Sequence, residues 1–308
     1  MLHVTEQKPS GLVFKRLASR AEIYWRDTLS NPLWPIMFAA SRFGLVRKFL
    51  RGSHSDLALK PAGSASIITV RSPDSFVQQL HAQGLAEGLC LNPTVVDAIK
   101  AFAEIEQCRG SREGQPFLPN DFRRAQRTAS SPILVGHYFE AVEKCEAAVQ
   151  LRSDPLLQAI AAAYLGNRAR PVSTRLWWSF PSDSIDEQSL HSASQERFHY
   201  DVDDWRALKV FFYLTEVGEK QGPHVYVRRS HKAKPLRHEA TLLVGKPTDD
   251  VLRVYGVEAP AAVTGGAGSG FFMDPFGFHM GTLVRTGRRL MLEIAFGVSN
   301  VNARRFNG

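Results

Sequence analysis

From Arg170-Pro171 onward the chain reads as one short apolar run after another, each closed by glycine, proline or a polar cluster. The runs lie at 172–180, 197–202, 208–215, 224–227, 271–273, 278–283 and 290–298, with a less regular region at 233–264. No amphipathic helix pattern alternates with them. Strands that follow one another without crossover helices pair antiparallel, so this half predicts a sandwich or barrel and excludes an alternating βαβ sheet.

The first half has the other periodicity. Ser72-Pro73-Asp74 reads as a helix start, with Phe76, Leu80 and Leu85 on one apolar face. Asn92-Pro93 opens a second helix carrying Val95, Val96, Ile99, Phe102 and Ile105. Residues 109–132 are polar and basic and read as loop, and helical spacing returns at 138–149 and 155–165. Residues 72–166 are therefore expected to form a helical layer. Gly265-Gly266-Ala267-Gly268-Ser269-Gly270 is glycine-rich, but a strand-like run follows it. A phosphate cradle needs the amino terminus of a helix there, so this stretch is read as a turn.

Composition narrows the class. An apolar fraction of 44% and a charged fraction of 22% are those of an ordinary globular protein. Cys90, Cys108 and Cys145 form no metal-ligand spacing and are read as reduced thiols, which points to the cytoplasm. No leader pattern and no long apolar span are visible. The net charge is +8, and residues 1–51 hold nine basic and three acidic side chains, 9 − 3 = +6 of that excess. Such a block suits a solvated surface or peripheral contact with the anionic inner face of a membrane. Trp25, Trp34, Phe38, Phe43 and Phe49 lie within it, while Pro32 and Pro35 break any single helix. Nothing in the chain suggests a nucleic-acid partner.

The chemistry concentrates in ERFHYDVDDWRALKVFFYLTEVGEKQGPHVYVRRSHK, residues 196–232. On a strand His199 and Asp201 would share a face. Imidazole and carboxylate are two thirds of the triad that holds non-heme Fe(II) with open positions. Asp203 shares that face and is the second choice of carboxylate, about 7 Å further along. His191, His224, His231 and His238 are read as structural or surface histidines.

The order of these segments resembles the phytanoyl-CoA dioxygenase family of Fe(II)- and 2-oxoglutarate-dependent oxygenases. The resemblance rests on His199-Tyr200-Asp201, the strand Leu208 through Thr215, Gly222-Pro223, Ser230-His231-Lys232, Phe278-His279-Met280-Gly281 and the run opening at Arg288-Arg289. It covers about residues 172–300. It implies an α+β protein whose core is a double-stranded β-helix (jelly-roll, cupin-like) with a helical layer from the amino-terminal half. A single domain would then divide into a basic extension (1–66), helical support (67–170) and catalytic core (171–300).

The metal ligands implied are His199, Asp201 and His279. The cosubstrate anchor implied is Arg289, seven positions before Phe296, with Arg288 as the alternative; Lys209 and Tyr213 are candidates to line the cosubstrate pocket, packing in the core being the other reading of both. Arg175, Trp177 and Ser179 share one strand face toward the pocket and Trp178 takes the opposite one. The cofactors implied are Fe(II), 2-oxoglutarate and O2, and the reaction is hydroxylation of an unactivated C–H of a small, anionic or lipid- or sugar-linked substrate. Desaturation, cyclisation, or an inactive metal-binding protein with an anionic partner are the alternatives. Asp201 stands where related halogenases have a small residue, which disfavours halogenation. The glycine usual before Ser230 is Arg229 here, so the turn at that point is an open question.

Overall fold

A computed structural model describes residues 24–25, 27–50, 66–70, 73–166, 168–182, 197–241, 245–299 and 301. His191 and most of the basic extension lie outside them. Among the described residues ten strands form two antiparallel sheets: β1 (Ile68–Val70), β2 (Leu85–Leu91), β3 (Val135–His137), β4 (Arg170–Ser179), β5 (Ala207–Tyr213), β6 (His224–Val227), β7 (Pro260–Val263), β8 (Ser269–Met273), β9 (His279–Gly281) and β10 (Arg289–Gly297). The large sheet runs β1-β2-β8-β5-β10-β4-β3 and the small one β7-β6-β9. This is the helix-supported jelly roll that the sequence implies.

Strand parity sorts the side chains into layers. Arg175 faces Glu293 and Glu293 faces Phe211 across β4, β10 and β5, while Trp178, Leu290 and their alternates point the other way. The outer set, including Leu176, Trp178, Phe212, Phe272, Leu292 and Phe296, packs on the helices Pro93–Ile105, Glu146–Arg152 and Pro155–Leu165. The inner set, Phe211, Tyr213, Phe271, Met273 and Met291, meets Tyr226 and Val263 of the small sheet. Val225 and Val227 leave the far side of the small sheet against Trp34, Met37, Phe38 and Phe278. The expected opposite facing of Trp177 and Trp178 holds.

Trp178 shows what anchors the helical layer. It is fully buried, and its indole Nε1 donates to Tyr138 Oη at 2.9 Å and Ala103 O at 3.3 Å. Trp178→Ala is expected to cost about 3–5 kcal/mol by denaturant titration, because it opens a cavity and strips the Tyr138 hydroxyl of a donor.

Several expectations change. The region 72–166 is not purely helical, since β2 and β3 lie inside it. The helix Pro73–Gln83 stops at Gly84, whose φ of 77° is the left-handed conformation glycine permits, and the chain turns straight into β2. Leu85 thus belongs to a strand. A register shift between Glu87 and Leu89 breaks the alternation that would have marked β2. The loop at 109–132 contains the helix Phe122–Thr128, and the irregular 233–264 contains β7 and the helices Leu236–Glu239 and Thr248–Tyr255. Residues 197–202 form no regular strand, and only single bridges at Phe198 and His199 pair there. The turn at Arg229 survives without glycine. Arg229 takes φ 68°, strained for a side-chain-bearing residue, and its N–H is tied to Gln83 O at 2.8 Å.

Candidate metal centre

His199 and His279 are joined through their backbones. Each N–H donates to the other's carbonyl, at 2.9 and 2.8 Å, so the two residues are directly opposed and their side chains leave on one side. The ring centroids lie 4.4 Å apart. Asp201 is placed by its own N–H, which donates to Pro275 O at 2.8 Å. One ligand atom from each of His199, Asp201 and His279 falls within 4.8 Å of the others. His279 Nε2 stands 3.4 Å from Asp201 Oδ2, and His199 Nε2 stands 4.0 Å from Oδ1.

The imidazoles are oriented from behind. His199 Nδ1 lies 3.1 Å from Arg197 O and His279 Nδ1 lies 2.9 Å from Gly277 O. A carbonyl only accepts, so each Nδ1 carries the hydrogen and each Nε2 keeps its lone pair for the shared space. Burial first, then His279, lowers the His199 pKa to about 4. Both effects favour the neutral, metal-binding form. For Asp201 burial works the other way, raising its pKa, but Lys209, His279 and His199 outweigh it and hold the carboxyl well below its ordinary value. Two imidazole Nε2 atoms and an ionised carboxylate on one side suit non-heme Fe(II).

Lys209 is a buried cation built into this centre. Its Nζ donates to Asp201 Oδ2 at 2.6 Å and stands 3.1 Å from Asp203 Oδ2. Burial disfavours its charge, the two carboxylates outweigh that, and its pKa is raised. Asp203 therefore neutralises Lys209 and is absent from the convergent set. Tyr213 is likewise occupied: its hydroxyl donates to Val263 O at 2.9 Å and accepts from His224 N at 3.0 Å. With its one proton committed, Tyr213 has no donor left for a carboxylate.

The two adjacent arginines part company. Arg288 leaves the barrel, pairs with Glu104 at 2.7 Å and lies 4.3 Å over the Trp178 ring. Arg289 turns inward and is 3% exposed. Its Nη2 donates to Ser179 Oγ at 2.9 Å, while Nε and Nη1 are buried without any hydrogen-bond partner. Burial lowers its pKa, with no carboxylate among the causes to restore it. A guanidinium carrying two orphaned N–H groups is a cradle for a carboxylate. Arg175 faces the same interior and is bound to Glu293 at 2.5 Å.

His224, read from the sequence as a structural or surface histidine, is buried beside the convergent set. It is 7% exposed and stacks on Phe211 at 5.2 Å and on His279 at 5.5 Å. It thus stands beside the His279 imidazole. The available signal was parity with Tyr226 on β6, which also faces inward. His231 and His238 are buried too, so none of the three is a surface residue.

These neutral imidazoles make acid tolerance measurable. His199 and His231 are lowered from 6.5 to about 4, and His224 well below its ordinary value, each chiefly by burial. The unfolded chain binds these protons first. Their contribution to stability is complete above pH 6.5 and is lost as pH falls toward 4. Metal-free protein is expected to lose on the order of 1–2 kcal/mol per imidazole by about pH 5. A flat urea midpoint between pH 7 and 5 would contradict it.

No family model matches the chain, and no curated protein matches it. Solved structures do. The epimerase SnoN, in complex with Fe3+, alpha ketoglutarate and nogalamycin RO, is 14% identical with a TM-score of 0.51, over 73% of this chain and 82% of its own. The non-heme alpha ketoglutarate dependent carbocyclase SnoK from nogalamycin biosynthesis is 17% identical with a TM-score of 0.51, over 77% and 93%. EvdO2 from Micromonospora carbonacea var. aurantiaca, complexed with 2-oxoglutarate, is 13% identical with a TM-score of 0.50, over 75% and 92%. At such identities the likeness shows a shared fold.

Proposed function

We propose that this chain is a non-heme Fe(II)- and 2-oxoglutarate-dependent oxygenase that hydroxylates an unactivated C–H bond of a small molecule. One observation carries the reading: the barrel interior holds both a convergent His199-Asp201-His279 set and a buried guanidinium, Arg289, with two unpaired N–H groups. The first fits a metal with open positions, the second fits a dicarboxylate bound beside it. The solved structures sharing the fold are described with iron and alpha ketoglutarate or with 2-oxoglutarate, which supports the same pairing.

When bound, iron with 2-oxoglutarate and O2 supplies the oxidising power for C–H cleavage, with decarboxylation of 2-oxoglutarate to succinate. The chain's own residues do the rest. His199 and His279 present lone pairs fixed by carbonyls behind them. Lys209 holds one oxygen of Asp201 and so limits how that carboxylate can bind. Arg289 and the Ser179 hydroxyl take the distal carboxylate of the cosubstrate. Phe211, Phe271, Met291 and Tyr226 form a dry wall that keeps water from the reacting centre.

A second outcome has support of its own, because the neighbours at a TM-score of 0.51 are an epimerase and a carbocyclase. Product mass separates the outcomes: a gained oxygen, two lost hydrogens for ring closure or desaturation, or no change for stereoinversion. The function itself is tested without knowing the substrate. Purified protein is expected to release succinate slowly from 2-oxoglutarate only when Fe(II) and O2 are both present, and absence of succinate together with absence of 2-oxoglutarate binding would refute the proposal.

A further inference from the structure

Ten large apolar side chains stand exposed among the described residues, and seven of them fall between Trp25 and Leu50. Leu45 and Phe49, on the helix Gly44–Leu50, are 82% and 86% exposed. Leu33 and Ile36 stand exposed at and beside the start of the helix Trp34–Ala40, with Trp25 and Leu29 just before it. Single exposed apolar residues are ordinary, but this many in one segment mark an interaction surface. The segment is well anchored, since its opposite side sends Trp34, Met37 and Phe38 into the core.

The surface around them carries one sign of charge. In the described part of the segment the sole acidic residue is Asp27, and it is buried. Arg42 is buried as well and donates to Phe38 O and Thr241 O, so it belongs to the fold. Next to Leu45 a cavity of about 570 Å³ is lined by Arg47, Lys48, Arg206, Lys232 and Lys234 against two carboxylates. Both carboxylates are engaged: Glu239 accepts from Gly44 N and Asp274 accepts from Tyr164 Oη. Arg47 and Lys234 bond to backbone carbonyls, three and two respectively, and neither has a carboxylate within ion-pair distance. Burial lowers the pKa of Lys234 well below its ordinary value, so the standing charge at this edge is that of Arg47 and the exposed Lys48. The observed apolar and cationic surface also accords with the sequence, where residues 1–51 carry nine basic and three acidic side chains.

Large apolar side chains flanked by the Arg47 and Lys48 cations match the headgroup and upper acyl region of an anionic bilayer. We propose that the Trp25–Leu50 face docks on an anionic membrane surface, with Leu45 and Phe49 entering the lipid and the neighbouring cationic cavity receiving a headgroup phosphate. The face is distinct from the barrel interior, so docking places the enzyme beside membrane-associated substrate and takes no part in the chemistry.

The test is sedimentation of the full chain with vesicles of phosphatidylcholine alone or mixed with phosphatidylglycerol. Binding is expected to the mixed vesicles only, and to weaken several-fold as salt rises from about 0.05 to 0.5 M. Leu45→Ser with Phe49→Ser is expected to weaken it at least tenfold, and Lys48→Glu by about fivefold or more. All three positions are exposed, so an unchanged thermal midpoint and unchanged succinate release show that the fold and the catalytic reading stand apart from docking. Equal binding to both vesicle types, or no loss in the variants, overturns the proposal. A dimer in sedimentation velocity that Leu45→Ser with Phe49→Ser dissolves overturns it too, by assigning the face to a second copy.

Discussion

His279→Ala is expected to abolish Fe(II) binding at micromolar metal and to lower succinate formation by at least about a thousandfold, roughly 4 kcal/mol of transition-state stabilisation. The fold should survive the change. What joins residue 279 to residue 199 is a pair of backbone hydrogen bonds, which the imidazole does not make. The substitution therefore removes a ligand atom and leaves its position in the sheet. Asp201→Ala is the harsher companion, because it also leaves Lys209 with Asp203 as its remaining carboxylate in a buried site. Metal content after loading under argon and succinate release read the two consequences separately. Full metal stoichiometry and normal turnover in His279→Ala would remove the His199-Asp201-His279 assignment.

Arg289→Leu should raise the 2-oxoglutarate concentration needed for half-maximal succinate release by about a hundredfold or more, as expected for the loss of a buried charge pair worth 2–5 kcal/mol. Arg289→Lys should recover part of this, since an ammonium keeps the charge and loses the two-pronged geometry. Stability is expected to move in the opposite direction. Nε and Nη1 of Arg289 are buried without partners, a cost of about 1–3 kcal/mol that leucine removes from the cosubstrate-free protein. A more stable protein with a weaker grip on 2-oxoglutarate is the signature of a binding residue. Arg288→Ala provides the contrast, costing up to about 1 kcal/mol through the loss of Glu104 and leaving the 2-oxoglutarate requirement unchanged. If the two arginines exchanged these effects, the anchor would be Arg288.

Much of the core was legible because its signals are local. His224–Val227 is found at its expected bounds, and β5, β8 and β10 differ from theirs by one or two residues. Parity alone separated Trp177 from Trp178. The strands that escaped notice, β1, β2, β3 and β7, lie beside helices or in irregular sequence, where short runs carry too few residues to establish a period. For β2 the missed signal was Gly84, a helix terminator read as part of a helix. The shared face of His199 and Asp201 was argued from a strand at 197–202 that does not form. The side chains converge because the backbone of His199 pairs with His279 and that of Asp201 with Pro275.

By itself, then, the sequence determined a mainly helical first half before a strand-rich second half, the antiparallel sandwich or barrel that this order permits and which residues are of types able to ligate. Those follow from periodicity and residue type, which neighbours in the chain carry. Only the tertiary structure decided that Arg289 faces inward with unpaired donors while Arg288 turns to Glu104, that Lys209 spends its charge on Asp201 and Asp203, and that His224 stands beside His279. Each of these depends on contacts between residues from 6 to more than 180 positions apart. Whether a charged group has a partner is set by the sheet register and burial that bring such residues together, and no local pattern encodes it.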